Sequence, residues 1–243
     1  MACLMCGCEK FNRVTDVNES TVVKCLSCNF VYTIPFPDES SVRDLYENWT
    51  DAGDQFQPRG GLGRRLKYRL FANSIKRHFP KHQSINLLEI GCGQGDLQRA
   101  VKQDERINGI GLDLDKSALN YARGLDLDVR AGTLEEQNFL SKTYDCVVAI
   151  HVIEHLYNPI KTLSEIYRIL TQGGIFIAIV PCVTHIKARI NGKRWKYYHA
   201  PGHLWHFSPE TFRLLLSKVN LQPVSMFSFY NRAHLKAIAK KID

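Results

Sequence analysis

The sequence predicts an α/β protein in which helices cover both faces of a mostly parallel sheet, preceded by a small cysteine-rich module. Three observations predict it. From residue 84 onward, short apolar runs alternate with helical patterns, as in successive βαβ units. Those runs are nearly continuous in apolar residues, as in strands buried on both sides. Five of the eight cysteines lie within the first 28 residues, and four of them form two Cys-x2-Cys pairs.

Composition bounds the answer. The chain has 243 residues, 44% of them hydrophobic and 23% charged, which excludes a disordered or collagen-like protein. No apolar run approaches the ~18 residues of a membrane span. Met1-Ala-Cys-Leu-Met-Cys has neither a basic nor an apolar leader region, so a cytoplasmic location is the default expectation. A chain this long buries a large core without disulfide staples, and Cys92, Cys146 and Cys182 stand singly in apolar or Gly-rich segments. The net charge of +8 is compatible with an anionic substrate, such as a nucleotide sugar or an RNA.

The elements follow in order. Val22, Val23, Phe30, Val31 and Tyr32 read as pieces of small hairpins around the cysteines. After Ile34-Pro-Phe-Pro-Asp, Ser40–Trp49 reads as a short helix and Asp51–Gly63 as a linker or loop. Arg64–Phe79 carries Leu66, Leu70, Phe71 and Ile75 at helical spacing. Strand Ile85–Ile90 leads through the Gly91–Gly95 turn to helix Asp96–Lys102. Strand Ile107–Asp113, helix Lys116–Arg123 and strand Leu125–Arg130 come next. Tyr144–Ile150 is an apolar strand, Pro159–Leu170 a helix ended by Gly173-Gly174, and Ile175–Val180 another buried strand. Ser208 caps a helix that has Pro209 in its first turn and runs to about Val219. Leu221–Tyr230 reads as a strand. The tail fits either a helix through Leu235, Ile238, Ala239 and Ile242 or an edge strand Leu235–Lys240. These elements divide the chain into a cysteine module (1–36), a helical lead-in and linker (37–83) and an α/β domain (84–243).

Cys3-x2-Cys6 and Cys25-x2-Cys28 have the spacing of a four-thiolate zinc site. A segment of about 30 residues cannot fold on apolar burial alone, so a metal ion would supply folding free energy. Four thiolates close the coordination shell, which makes the expected zinc structural. Cys8 either replaces Cys6 as a ligand or stays free.

The turn Glu89-Ile-Gly91-Cys-Gly93-Gln-Gly95-Asp96 follows a strand and opens a helix. There a ligand approaches the backbone closely, beside the positive helix N-terminus. Relative to Gly-x-Gly-x-x-Gly, the third glycine comes one residue early, which disfavours a nicotinamide or flavin site. Asp113 ends the next strand, where a carboxylate can accept both hydroxyls of a ribose. Together they predict a nucleoside ligand; Asp115 is the better candidate for capping the following helix.

These motifs resemble the class I S-adenosylmethionine-dependent methyltransferases over Ile85 to about Lys241. Glu89-x-Gly-x-Gly-x-Gly resembles the family's first motif, which lies against the methionine part of the cofactor. Asp113 falls where the family's ribose-binding acid sits. Gly132-Thr133-Leu134-Glu135 resembles the adenine loop, with Thr133 where many members have Asp. Tyr144-Asp-Cys-Val-Val-Ala-Ile-His-Val-Ile-Glu-His resembles the fourth strand and the turn beneath the methyl group, and Arg168-Ile-Leu-Thr-Gln-Gly-Gly resembles the lead-in to the fifth strand. The resemblance implies a Rossmann-like sheet of seven strands and favours the strand reading of the tail. It implies S-adenosylmethionine as cofactor, held by Glu89, Gly91, Cys92, Gly93, Gly95, Asp113, Leu114, Thr133, Leu134, Ile150 and His151. Val23-Lys-Cys-Leu-Ser-Cys-Asn-Phe-Val-Tyr and Gly202-His-Leu-Trp-His-Phe-Ser-Pro-Glu-Thr-Phe resemble a subgroup with an N-terminal zinc knuckle, whose members mostly methylate small molecules or carbohydrates.

A sulfonium methyl is already activated, so alignment supplies most of the rate, ~7–11 kcal/mol, while a general base adds only ~10²–10⁴-fold. Candidate bases are His151, His203 and His206, with His155 and His199 nearby; His155 also reads as a packed helix-start residue. Cys182 reads as a small buried hydrophobe rather than a nucleophile. The basic segments Arg59–His82 and His185–His199 interleave Tyr68, Phe71, Trp195, Tyr197 and Tyr198. They read as a lid for a phosphorylated small molecule, as an RNA groove with stacking aromatics, or as amphipathic surface helices. The expected function is methyl transfer to a small or carbohydrate-type acceptor. An RNA methyltransferase and a catalytically silent cofactor-binding partner subunit are the alternatives.

Overall fold

The computed structural model describes residues 2–47, 58–198, 202–229 and 232–242. Trp49, most of the linker from residue 51, His199 and Tyr230 lie outside the described residues.

A seven-stranded sheet is built from β4 (Ile85–Ile90), β5 (Ile107–Asp113), β6 (Val129–Ala131), β7 (Tyr144–Ile150), β8 (Leu170–Pro181), β10 (Leu221–Ser228) and β11 (His234–Lys241). Their order is β10-β11-β8-β7-β4-β5-β6. The five strands from β4 to β8 are parallel, and β11 inserts antiparallel between β8 and β10. The chain winds outward from β4 to β6, then returns to the other side of β4 as β7. That reversal opens a crevice at the C-terminal ends of β4 and β7, where open α/β sheets bind ligands.

Alternate residues of the central strands feed two cores. On one face, α2 (Leu62–Lys76) and α3 (Asp96–Val101) pack Ala72, Ile75, Leu97 and Val101 against Leu87, Val148 and Ile177. On the other, α5 (Pro159–Ile169) and α7 (Pro209–Ser217) pack Leu163, Ile166, Phe212 and Leu216 against Leu88, Val147 and Phe176. Helix α4 (Lys116–Gly124) begins at Asp115, whose side chain accepts from the amides of Ser117 and Ala118. Ser208 and Thr211 form a reciprocal capping box at the start of α7.

The second sheet contains β1 (Phe11–Val17), β2 (Ser20–Cys25), β3 (Val31–Ile34) and β9 (Trp205–His206), in that order. Its last strand comes from far along the chain, and Phe30, Tyr32 and Trp205 join the same core as α5 and α7. Helix α1 (Glu39–Glu47) follows β3, and α6 (Ile186–Asn191) follows β8.

The structure corrects three local expectations. Helix α5 ends at Ile169, one residue short of the expected Leu170, and β8 begins at Leu170 rather than Ile175: Leu170 is fully buried and already extended, so the chain enters β8 directly. The glycines fall where β8 shifts register against β7. Leu125–Arg130 is strand only from Val129, because Asp126 takes φ +57° and Leu127 folds back onto Leu119 and Ala122. The tail is a strand, as the resemblance favoured, but an interior one paired on both sides rather than an edge. Among the described residues, no helix is long and apolar enough to cross a membrane.

Candidate functional site

Four thiols meet beneath the small sheet. Cys3 Sγ lies 3.6 Å from Cys28 Sγ, and Cys6 Sγ 3.5 Å from Cys25 Sγ. All four sulfurs lie within 4.8 Å of one another, near the ~3.8 Å spacing that a tetrahedral ion with ~2.3 Å bonds to sulfur needs. Cys8 is turned out of the cluster, its thiol directed to the Lys10 carbonyl at 3.6 Å.

At the end of β4 the chain turns through Gly91, Gly93 and Gly95, all with positive φ. A Cβ on Gly91 would overlap Val152 Cγ2, whereas one on Gly93 would meet open space. The turn therefore packs against the segment after β7 on one side and leaves room for a ligand on the other. Asp113 lies across it. Its Oδ2 accepts from the Gly93 amide at 2.6 Å and its Oδ1 from the Asp115 amide at 2.9 Å. Burial raises its pKa, while those two amides favour the carboxylate. Glu89 is buried beneath the turn and accepts from Gln98 Nε2 at 2.9 Å. Burial pushes its pKa up to about 8, with Asp113 and Asp96 adding to the rise. Arg64 of α2 pairs with the buried Asp96 at the start of α3. Gly132 donates to the Asp113 carbonyl at 3.1 Å, which carries Thr133 and the buried Leu134 to the same end of the sheet. Cys92 is buried against α4; Leu114 and Ile150 are partly exposed at the crevice. Open space above a fixed carboxylate, beside backbone amides, fits a ribose-bearing ligand.

His151 leaves β7 with φ +56°, its side chain half-buried and its Nδ1 3.2 Å from Glu154 Oε1. Glu154 is fully buried. Burial would raise its pKa, but His151, His155 and His203 around it hold it below the usual carboxylate range. His155 Nδ1 lies 2.7 Å from the Gly202 carbonyl and 2.5 Å from the Tyr46 hydroxyl of α1. His203 Nδ1 lies 2.9 Å from the Tyr197 carbonyl, and its ring faces the His155 ring edge-on at 4.6 Å. His206 lies in the seam between β3 and β9, its ring 6.4 Å from that of His203 and its Nε2 3.1 Å from Thr33 Oγ1. Burial pushes its pKa down to about 3, so it is neutral. Thus His151, His155 and His203 converge on Glu154, while His206 faces the small sheet.

A cavity of 420 Å³ is lined by Lys187, Arg194, Lys196, Tyr197, Arg232 and His234 among others. The His234 ring meets that of His151 edge-on at 4.4 Å, and its Nε2 lies 2.7 Å from the Tyr197 hydroxyl. Lys67 of α2 lies close enough to Arg232 and Arg64 for their charges to lower its pKa, after burial. A larger groove of 830 Å³ between Glu135 and Arg168 shares no residue with the turn or the histidines. Sequence reasoning missed Glu154, Tyr46, Arg232 and His234 as parts of the site. A carboxylate between two histidines, His151-Val-Ile-Glu154-His155, was the signal available for Glu154.

The methyltransferase-domain family matches residues 62–226, more than half of the chain. An uncharacterized protein of Methanocaldococcus jannaschii is 27% identical over 72% of this chain and 76% of its own. A probable S-adenosylmethionine-dependent methyltransferase of Mycolicibacterium smegmatis is 34% identical over 40% of this chain. A ubiquinone biosynthesis O-methyltransferase of Photobacterium profundum is 28% identical over 56% of it. The matched parts span only 38% and 58% of those last two relatives. Among solved structures, an S-adenosylmethionine-dependent methyltransferase from Archaeoglobus fulgidus aligns with TM-score 0.60 and 21% identity, over 73% of this chain and 94% of its own. The cyclase SpnF aligns with TM-score 0.64 and 14% identity, over 85% and 97%. At such identities the structures speak to the fold alone, and one fold carries more than one chemistry.

Proposed function

The chain belongs to the family of S-adenosylmethionine-dependent methyltransferases, and from that premise we propose that it methylates a small or carbohydrate-type acceptor carrying negative charge. When bound, S-adenosylmethionine supplies a methyl group already activated by its sulfonium. In this reading Asp113 accepts the two ribose hydroxyls, held in place by the amides of Gly93 and Asp115. Glu89, Gly91, Cys92, Gly93 and Gly95 line the methionine side; Leu114, Thr133 and Leu134 line the adenine. Ile150 and His151, at the end of β7, would face the transferred methyl, and His151 would take a proton from the acceptor. His203 flanks it, and His206 supports the seam behind.

The observation that carries the acceptor class is the cavity beside His151. Lys187, Arg194, Lys196 and Arg232 line it, and His234 in its wall touches both His151 and Tyr197. Guanidinium and ammonium groups around one concavity suit a phosphate or carboxylate. We also propose that Cys3, Cys6, Cys25 and Cys28 hold a structural zinc ion, as in the subgroup with a zinc knuckle. Residues 1–36 are then the zinc module, 37–83 the helical lead-in and 84–243 the catalytic domain.

The test is transfer of labelled methyl to matched panels of neutral, carboxylated and phosphorylated sugars. Turnover is expected with anionic acceptors and is expected to fall in Arg232→Ala through KM. Turnover confined to neutral acceptors contradicts the acceptor class. Activity on RNA with a steep salt dependence would favour an RNA substrate instead.

A further inference from the structure

We propose that Glu154, His155 and His203 form a second metal site, which holds a divalent transition-metal ion beside the acceptor cavity. One ligand atom from each residue lies within 4.8 Å of the other two. Glu154 Oε1 is 3.8 Å from His155 Nε2. Atoms bound at ~2.0–2.2 Å to one ion stand ~3–4 Å apart, so a modest side-chain shift completes the set.

Two further observations point to a cation. Glu154 is fully buried, and among the described residues its Oε2 finds no hydrogen-bond partner. A buried carboxylate oxygen without a partner is costly, and a metal ion bound by both oxygens of this carboxylate would satisfy it. Both imidazoles are also oriented as ligands are. The Nδ1 of His155 lies against the Gly202 carbonyl, and that of His203 against the Tyr197 carbonyl. With the proton on Nδ1 donated to those oxygens, Nε2 is the ring atom that carries the lone pair, and that of His155 lies 3.8 Å from Glu154 Oε1. Metal-ligating histidines are held this way by backbone carbonyls. An acid that merely positions His151 would need only Oε1 and would leave Oε2 unexplained.

Two imidazoles and one carboxylate leave coordination positions open, unlike the four thiolates of the zinc module. Tyr197 belongs to the cavity wall and its ring stacks on His203 at 6.0 Å. An acceptor oxygen reaching out of the cavity can therefore occupy an open position. There the ion favours the deprotonated oxygen, its proton passing to His151. The oxygen then bonds to the methyl carbon as the S–CH3 bond breaks and its electron pair stays on sulfur. This role rests on the methyltransferase reading; the metal site itself does not.

The test uses the full chain with its thiolate site loaded with zinc, dialysed against micromolar Co²⁺ and assayed for both elements. Cobalt does not outcompete zinc at the thiolates but suits imidazole and carboxylate. One cobalt per chain is expected beside one zinc. Glu154→Gln and His203→Ala should each weaken cobalt binding by at least ~10–100-fold while zinc is retained, and Tyr46→Phe by about tenfold through His155. Melting curves and S-adenosylmethionine titrations of the same samples report folding and the cofactor site separately. Absence of cobalt from folded, zinc-loaded wild type, or wild-type cobalt affinity in the variants, overturns the metal site. Cobalt binding without S-adenosylmethionine binding keeps the metal site and overturns the methyltransferase reading.

Discussion

The indole of Trp205 stacks on the ring of Phe30, with centroids 5.8 Å apart and planes 17° apart. Trp205 also donates from Nε1 to the Leu156 carbonyl at 2.6 Å, in the segment that carries Glu154 and His155. The cysteine module and the catalytic crevice are thereby two sides of one core.

Loss of the thiolate site should therefore be felt in the whole protein. Cys25→Ser is expected to release one zinc per chain and to lower the melting temperature of a single cooperative transition. Cys8→Ser, whose thiol is turned away, should keep the metal. Zinc content and calorimetry check both. Two separate transitions, with the second unchanged in Cys25→Ser, would show that the module is independent.

Trp205→Ala is expected to cost about 3–5 kcal/mol, as for other fully buried large aromatic side chains. Denaturant unfolding measures it. Because Leu156 follows directly on Glu154 and His155, the same variant should weaken activity beyond what its residual folded fraction explains.

Gly91→Ala combines two penalties. Its φ of +71° is unfavourable for an L side chain, and the new Cβ overlaps Val152. Destabilisation of about 1–3 kcal/mol is expected, with loss of cofactor binding. Adding Val152→Ala should relieve the overlap but not the backbone strain, so stability should recover only in part. Full recovery would show that φ there is unstrained.

Glu89 makes stability depend on pH. Its pKa rises from 4.5 to about 8 on folding, through burial. The neutral form is the one the fold accommodates. Its contribution is fully present below pH 4.5 and is lost as pH rises through 8, at about 1.4 kcal/mol for each pH unit between those two values. Glu89→Gln should thus match the wild type in stability near pH 4.5 and exceed it by several kcal/mol at about pH 9. Unfolding curves at both pH values measure this. Equal stability under the alkaline condition would mean that Glu89 ionises freely.

Much of this architecture could be read from residues alone, and the parts that could not share a cause. β4, β7 and β8 announce themselves because strands buried on both faces are apolar throughout. The glycine turn and Asp113 are legible because each closes one βα unit, although the hydrogen bond joining them spans 20 residues. β9 is only two residues long, and its partner β3 lies far earlier in the chain, through Val31↔His206 and Tyr32↔Trp205, so no local pattern marks it. β1 is polar and largely exposed, without the apolar alternation that signals a strand. The cavity joins α6, the turn after it and the start of β11, which only folding brings together. Glu154 stands beside His151 and His155 in the sequence, but its burial among three histidines also needs the far segment, from which the Leu204 amide donates to its carbonyl.

The most direct measurement is a calorimetric titration of the zinc-loaded protein with S-adenosylmethionine and with its demethylated product, for wild type and Asp113→Ala. Micromolar binding by the wild type is expected. Two hydrogen bonds to a carboxylate are worth roughly 3–6 kcal/mol, so Asp113→Ala should bind at least ~100-fold more weakly. No binding by folded wild type, or equal affinity in Asp113→Ala, would contradict the cofactor site described here.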